Sequence, residues 1–214
     1  MTRSKEKAAS SADTPEDVLR KLASEDDDLA MLVARNQSAG PELLADIYSQ
    51  LRSNDYGLTA GCTVLESRRT NSELLRRVIA DFPDINEERD VDYPGETSYG
   101  VLLAQHQDTP LEVLGQLSES PYYMVREQIA IRPDLPENIV ARLATDESRL
   151  VRQVLAGNPN LSVEELQILA TDVEPAIRFK VTLHPCASEQ LLRVLAKDSV
   201  AIVAMSAQSA LPAP

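Results

Sequence analysis

The stretch Val151–Asp172, VRQVLAGNPNLSVEELQILATD, decides the fold, because its pattern returns on both sides of it. Val125–Pro133 reads VREQIAIRP and Ile177–Pro185 reads IRFKVTLHP, beside VRQVLAGNP at Val151–Pro159. Each is followed by a polar break and a second apolar pattern: NIVARLA, ELQILA and QLLRVLA. Arg132, Asn158 and His184 hold the same place and are 26 residues apart. A period of this length marks a solenoid, in which each unit stacks on its neighbours and mostly offers surface to partners.

Within a unit, Val151, Val154 and Leu155 follow the i, i+3, i+4 spacing of a helix face. Pro159 has no backbone N–H and disfavours helix just before it, so the first helix should end by Asn158; Pro133 and Pro185 act alike. The second helix should open on a capping box, Ser162 with Glu165 or Thr109 with Glu112, with Pro110 at a favoured first position. Leu166 and Leu169–Ala170 give its buried face, and Leu117, Leu143 and Leu195 repeat Leu169. No segment alternates like a strand. The expected fold is all-α, an α-solenoid of about five to six two-helix repeats, some helices short and partly 3₁₀.

Taking the Asn/His/Arg position as an anchor extends the register to His106, Ser67 and Asn36, with a degenerate start near Ser11 and a final first helix at Ser199–Gln208. Asn36 to Ser67 is 31 residues and Ser67 to His106 is 39, so the second interval carries thirteen extra. These fall in an insertion at about 81–99, DFPDINEERDVDYPGETSY. The domain plan is a disordered tail at 1–13, one repeat domain over 14–208, and a disordered end at 209–214.

The unit resembles the leucine-rich repeat variant family. Val125–Pro133, Val151–Pro159 and Ile177–Pro185 carry the likeness, with Leu143–Ala144, Leu169–Ala170 and Leu195–Ala196. The resemblance implies a right-handed superhelix of α and 3₁₀ helices without strands. Some members carry a Cys-rich iron–sulfur module before the repeats; this chain has no Cys before Cys62, so that cofactor is not carried over and none is expected. The slightly longer unit leaves room for a HEAT-like pair of fuller helices.

Composition narrows the function. The net charge is −13, and most basic residues are interleaved with acids; the exceptions are Arg3–Lys7, Arg68–Arg69 and Arg76–Arg77. This balance argues against nucleic acid and anionic membranes and favours a basic or mixed protein partner. No apolar run nears the ~18 residues of a membrane span, and the N-terminus lacks the apolar stretch of a secretory signal. Cys62 and Cys186 lie far apart and form no metal or redox motif, which fits a reducing cytoplasm. No ligand spacing for a metal appears.

Arg126, Arg152 and Arg178 recur every 26 residues; Asp146 and Asp172 precede the latter two by six, with Ser120 matching before Arg126. A structural Asp–Arg ladder between neighbouring units is expected, since Arg suits repeated bidentate pairing. His106 and His184 sit at anchors where Asn36 and Asn158 also serve, which points to backbone bonding rather than catalysis. The insertion holds seven acids, Asp90 and Asp92 among them, against Arg89 alone, with Phe82, Tyr93 and Tyr99. Aromatics beside charges suit an interface, so Phe82, Asp90, Asp92 and Tyr93 are candidate partner contacts, as are Tyr122 and Tyr123. A passive solvated loop is the alternative; the acids lack the EF-hand pattern. The expectation is a non-enzymatic protein-interaction module. The rival is a HEAT-like nucleic-acid-binding or DNA-repair protein, which would need a basic concave face.

Overall fold

The computed structural model describes residues 2–53, 57–67, 69–85 and 98–212. Among them the chain forms fifteen helices and no strand. It is an all-α repeat fold of the solenoid class and divides into two compact units, Met1–Pro110 and Leu111–Pro214, where one domain over 14–208 is the plan read from sequence.

In the first unit the helices are α1 (Thr2–Ser10), α2 (Glu16–Ala23), α3 (Asp27–Ala34), α4 (Pro41–Leu51), α5 (Gly57–Glu66), α6 (Ser72–Asp81) and α7 (Tyr99–Gln105). In the second they are α8 (Leu111–Leu117), α9 (Tyr123–Ile131), α10 (Glu137–Ala144), α11 (Arg149–Leu155), α12 (Val163–Leu169), α13 (Pro175–Thr182), α14 (Glu189–Leu195) and α15 (Ala201–Ala210). Within each unit the odd-numbered helices make a layer: α1 packs on α3, α3 on α5 and α5 on α7 in the first, and α9 on α11, α11 on α13 and α13 on α15 in the second. Each anchor is followed by an even-numbered helix, so the described helices form seven pairs and one further first helix. The start near Ser11 is therefore a full unit.

That unit corrects the disordered tail expected at 1–13. Lys5, Glu6, Lys7 and two alanines favour helix. Ala9 is fully buried against α3, and Asn36 Nδ2 donates to Ala9 O at 2.7 Å and Ser11 O at 2.9 Å. Thr14 adds a bond to Ala8 O at 2.7 Å. Small residues and distant amides hold this helix, so it lacks the Leu stripe that marks the others. At the other end, Ser209 and Ala210 continue α15, and 213–214 lie outside the described residues.

The core is aliphatic, as the 4% aromatic content requires. Leu117, Leu143 and Leu169 are fully buried and Leu195 nearly so; each such side chain contributes on the order of 1.5–3 kcal/mol. Every described helical segment is α, with none of the expected 3₁₀ stretches. Ser162 and Glu165 form the capping box at α12. Thr109 instead donates its hydroxyl to Leu103 O at 2.6 Å, tying the turn back to α7. Much of the surplus between Asn36 and Ser67 is a longer second helix: α4 has eleven residues where α10 has eight.

Candidate functional site

The Arg ladder is present, with a pairing that differs from the nearest Asp in sequence. Arg126 Nε and Nη2 donate to Asp146 at 2.7 and 3.0 Å, while Nη1 donates to the Ser120 carbonyl at 2.6 Å. Arg152 pairs with Asp172 at 2.6 and 3.1 Å and reaches the Asp146 carbonyl at 2.6 Å. Arg178 pairs with Asp198 at 2.6 and 2.9 Å and reaches the Asp172 carbonyl at 2.7 Å. The carboxylate thus comes from twenty residues ahead, and the residue six behind supplies only its carbonyl. Each carboxylate also accepts a helix-opening N–H, from Ser148, Glu174 and Val200. Asp198 escaped the sequence reading although it stands 26 residues after Asp172.

Burial alone would raise Asp172, but its bonds from Arg152 and from the Glu174 N–H bring it below the usual carboxylate range. The Arg178 guanidinium holds Asp198 low in the same way. Bonds to Asp146, Asp172 and Asp198 raise Arg126, Arg152 and Arg178. These ions are committed to one another across neighbouring repeats.

The anchors form a second ladder. Asn158 Nδ2 donates to Ala130 O at 3.0 Å and Arg132 O at 2.7 Å, and its Oδ1 accepts the Asn160 N–H. His184 repeats this chemistry with a ring: Nδ1 accepts the Cys186 N–H at 3.1 Å, so Nε2 carries the proton donated to Asn158 O at 2.7 Å. In the first unit, His106 Nδ1 accepts the Asp108 N–H at 3.3 Å. Imidazole and carboxamide interchange here because each offers an acceptor for the turn N–H and a donor for the preceding anchor's carbonyl, the carboxamide having a second donor besides.

The insertion's edges are internal. Phe82 is half-buried and meets Tyr99 edge-on, ring centroids 6.5 Å apart, and Tyr99 is buried with its hydroxyl on Val78 O. Gly61 lets α5 approach this cluster; a Cβ there would lie 3.2 Å from Val78 and 3.5 Å from Phe82. Asp81 accepts from Tyr48 Oη at 2.8 Å and from Arg52 at 3.0 Å. Those bonds pull Asp81 below its ordinary range, while burial and Asp81 itself push Tyr48 up. Asp90, Asp92 and Tyr93 lie outside the described residues. Tyr122 is half-buried, its N–H on Ser120 Oγ, whereas Tyr123 is exposed at the head of α9.

Tyr123 borders a surface that pattern reading missed. Met124, Leu150, Ala176 and Ile202 hold the second positions of α9, α11, α13 and α15, 26 residues apart, and all four are exposed. Ile131, Leu183 and Met205 extend the surface, each more than half exposed. Along the i+3, i+4 and i+7 positions of these helices only Glu127 and Lys180 are charged, and Lys180 Nζ rests on Gln153 O at 2.9 Å. The exposed positions of α10, α12 and α14 are instead mixed, with Glu137, Arg142, Glu164, Glu189 and Arg193. The 26-residue recurrence of an apolar residue was the available signal, hidden because the helix stripe pattern assigns apolar residues to the core.

Cys62 is buried, and burial pushes its thiol up to about 11; Cys186 is exposed. Among the described residues no three of His, Cys, Asp and Glu gather as a metal site would need, and no helix is long and apolar enough to cross a membrane.

No family model and no curated protein matches the chain. A solved structure described as a leucine-rich repeat variant with a novel repetitive protein structural motif is similar over 92% of this chain and 72% of its own, at 22% identity. With a TM-score of 0.60, the chain has the fold of that leucine-rich repeat variant, as the repeated Val-Arg…Pro units imply.

Proposed function

We propose that the chain is a non-enzymatic protein-interaction module, a scaffold, adaptor or inhibitor acting on a protein partner in the cytoplasm. The observation that carries this reading is the exposed row Met124, Leu150, Ala176 and Ile202, continued by Met205 and Leu183. Soluble chains rarely leave contiguous apolar surface open unless something covers it. A partner suited to it brings an apolar patch with a basic or mixed rim, because the chain around it is acidic. Two free thiols, one of them exposed, suit a reducing compartment.

The test compares wild type with the triple variant Met124→Ser, Leu150→Ser, Ile202→Ser. These positions are at the surface, so circular dichroism and Tm should change little. Affinity purification from native extract should recover partners with wild type that the variant loses. Identical partners at equal recovery would remove this face from the function.

A further inference from the structure

The exposed apolar row of the second unit has a fixed step, and that step selects its occupant. Met124, Leu150, Ala176 and Ile202 hold the same place on α9, α11, α13 and α15, each helix packed on the next. Packed helices lie about 8–10 Å apart, so the row runs roughly 24–30 Å with a contact point at each step. A segment lying along it must present an apolar side chain at about the same interval. On one face of an extended strand, side chains recur at about 6.8 Å or its double, and both miss. In an α-helix, residues seven apart return to one face after about 10.5 Å, close to the row's step. Polyproline II also comes close, at about 9.3 Å per three residues. Its recognition uses aromatic-lined grooves, however, and the row has no aromatic member. Aliphatic and thioether side chains are the surface that receives amphipathic helices.

The surroundings of the row set the chemistry of that helix. Met124 and Met205, flexible side chains at opposite ends, are 52% and 65% exposed. Ala176 is the short member between Leu150 and Ile202 and leaves room there for a bulky apolar side chain. The turn that opens α11 carries Glu147, which bonds to Arg126 yet keeps its side chain 86% exposed. Glu174 opens α13 in the same way, and Glu127 lies on α9; Arg149 and Lys180 are the cations on these helices outside the ladder. With the ladder arginines bound to Asp146, Asp172 and Asp198, carboxylates outnumber cations among the unit's remaining charged groups. A second copy of the chain would bring the same excess, and with a net charge of −13 on each copy self-association along the row is opposed.

We propose that this face docks a basic amphipathic α-helix of a partner protein, about 16–20 residues long. The helix lies across α9, α11, α13 and α15, with apolar residues seven apart on the row and lysines or arginines toward Glu127, Glu147 and Glu174. The inference rests on the protein-interaction reading and names the form and charge of the partner segment.

The probe is an acetylated, amidated peptide of leucine, alanine and lysine, about twenty residues long, with leucines on one helical face. It is titrated into the full chain labelled with ¹³C at the methionine methyls. The Met124 and Met205 signals should shift saturably, with a Kd on the order of 10 μM. Met31, buried in the first unit, should not respond. Circular dichroism should show the peptide gaining helix as it binds. Three twins serve as comparisons: the same residues scrambled so that no face is apolar, a central proline, and glutamate for every lysine. Each should bind about tenfold or more weakly, for want of the face, the helix or the opposite charge. Added salt should weaken the lysine peptide. Ala176→Arg, at an exposed position, should weaken binding about tenfold or more with Tm unchanged, by filling the short step and repelling lysine. The proposal is overturned if any twin binds as tightly as the lysine peptide, if Ala176→Arg binds like wild type, or if no shift saturates. Dimerisation of the chain itself, seen by sedimentation and abolished by Ala176→Arg, would overturn it by giving the row to a second copy. If the Met124, Leu150, Ile202 variant loses its extract partners while no peptide binds, this inference falls and the protein-interaction reading stands.

Discussion

The two units solve the same packing problem with different residues. Six places before each anchor, the second unit has Arg126, Arg152 and Arg178, while the first has Ala30, Gly61 and Gly100, all buried. In the second unit a guanidinium spans from one repeat to the next; in the first, small residues let the helices touch directly. Lys5 and Glu25, twenty residues apart like Arg126 and Asp146, form an exposed version of the same pair. At Gly61 there is no cation to offer, and the matching acid, Asp81, is served by Tyr48 and Arg52 instead. Eight places before the anchor the contrast reverses in polarity: Asp28, Thr59 and Ser98 in the first unit, Met124, Leu150 and Ala176 in the second. The first unit also holds most of the excess charge, 21 acids against 12 bases, where the second has 13 against 9. A strict period therefore goes with a directional ladder, and irregular spacing with small-residue contacts that tolerate it.

Several changes would break or sharpen this comparison. Leu169→Ala removes a fully buried side chain and should cost about 2–5 kcal/mol. Because repeat stability is nearly a sum of neighbour contributions, hydrogen exchange should quicken in α10 to α14 and leave α2 to α4 protected; uniform quickening would contradict two compact units.

Arg126→Ala leaves Asp146 buried at 5% side-chain exposure. A loss of about 3 kcal/mol is expected, the lower part of the range for breaking a buried pair, since Glu147 and solvent border it. An unchanged Tm would mean the second unit stacks by apolar contacts alone. Conversely, Gly61→Arg places the ladder cation opposite Asp81 in the first unit. It should fail to build a rung and should cost on the order of 1–3 kcal/mol or more, because Val78 and Phe82 already fill the space.

Acid should erode the ladder. Asp172 and Asp198 have folded values below their unfolded ones, so their contribution is present above the unfolded carboxylate range and is lost as pH falls through the lower folded values. Denaturant midpoints measured from neutral to acid pH should fall, and Asp198→Asn should reduce that slope. A midpoint that rose with acid would reverse the sign.

The smallest stability effect belongs to the insertion. Excising thirteen residues within 83–98 restores the 26-residue spacing and should change stability little, since closure entropy varies by about 0.6 kcal/mol per doubling of loop length. Association with a basic partner should slow, as it should for Asp90→Lys with Asp92→Lys. Equal association rates would remove the insertion from the partner contacts.

The sequence alone determined the repeat, the helix pairs, the aliphatic core and the ladder arginines, because each leaves a local mark: 26-residue recurrence, 3.6-residue periodicity, proline stops. It also fixed the anchor as a polar, backbone-bonding position. Only the tertiary structure decided which partners those groups take. Arg152 chooses Asp172 over the nearer Asp146 because the closing turn of the next pair, not chain proximity, sets the carboxylate against the guanidinium. Phe82 and Tyr99 turn inward because Gly61 leaves room beneath them, a vacancy no periodicity announces. The apolar row is likewise a product of stacking: it arises from what equivalent side chains leave uncovered when helices lie side by side, and that depends on neighbours 26 or more residues away.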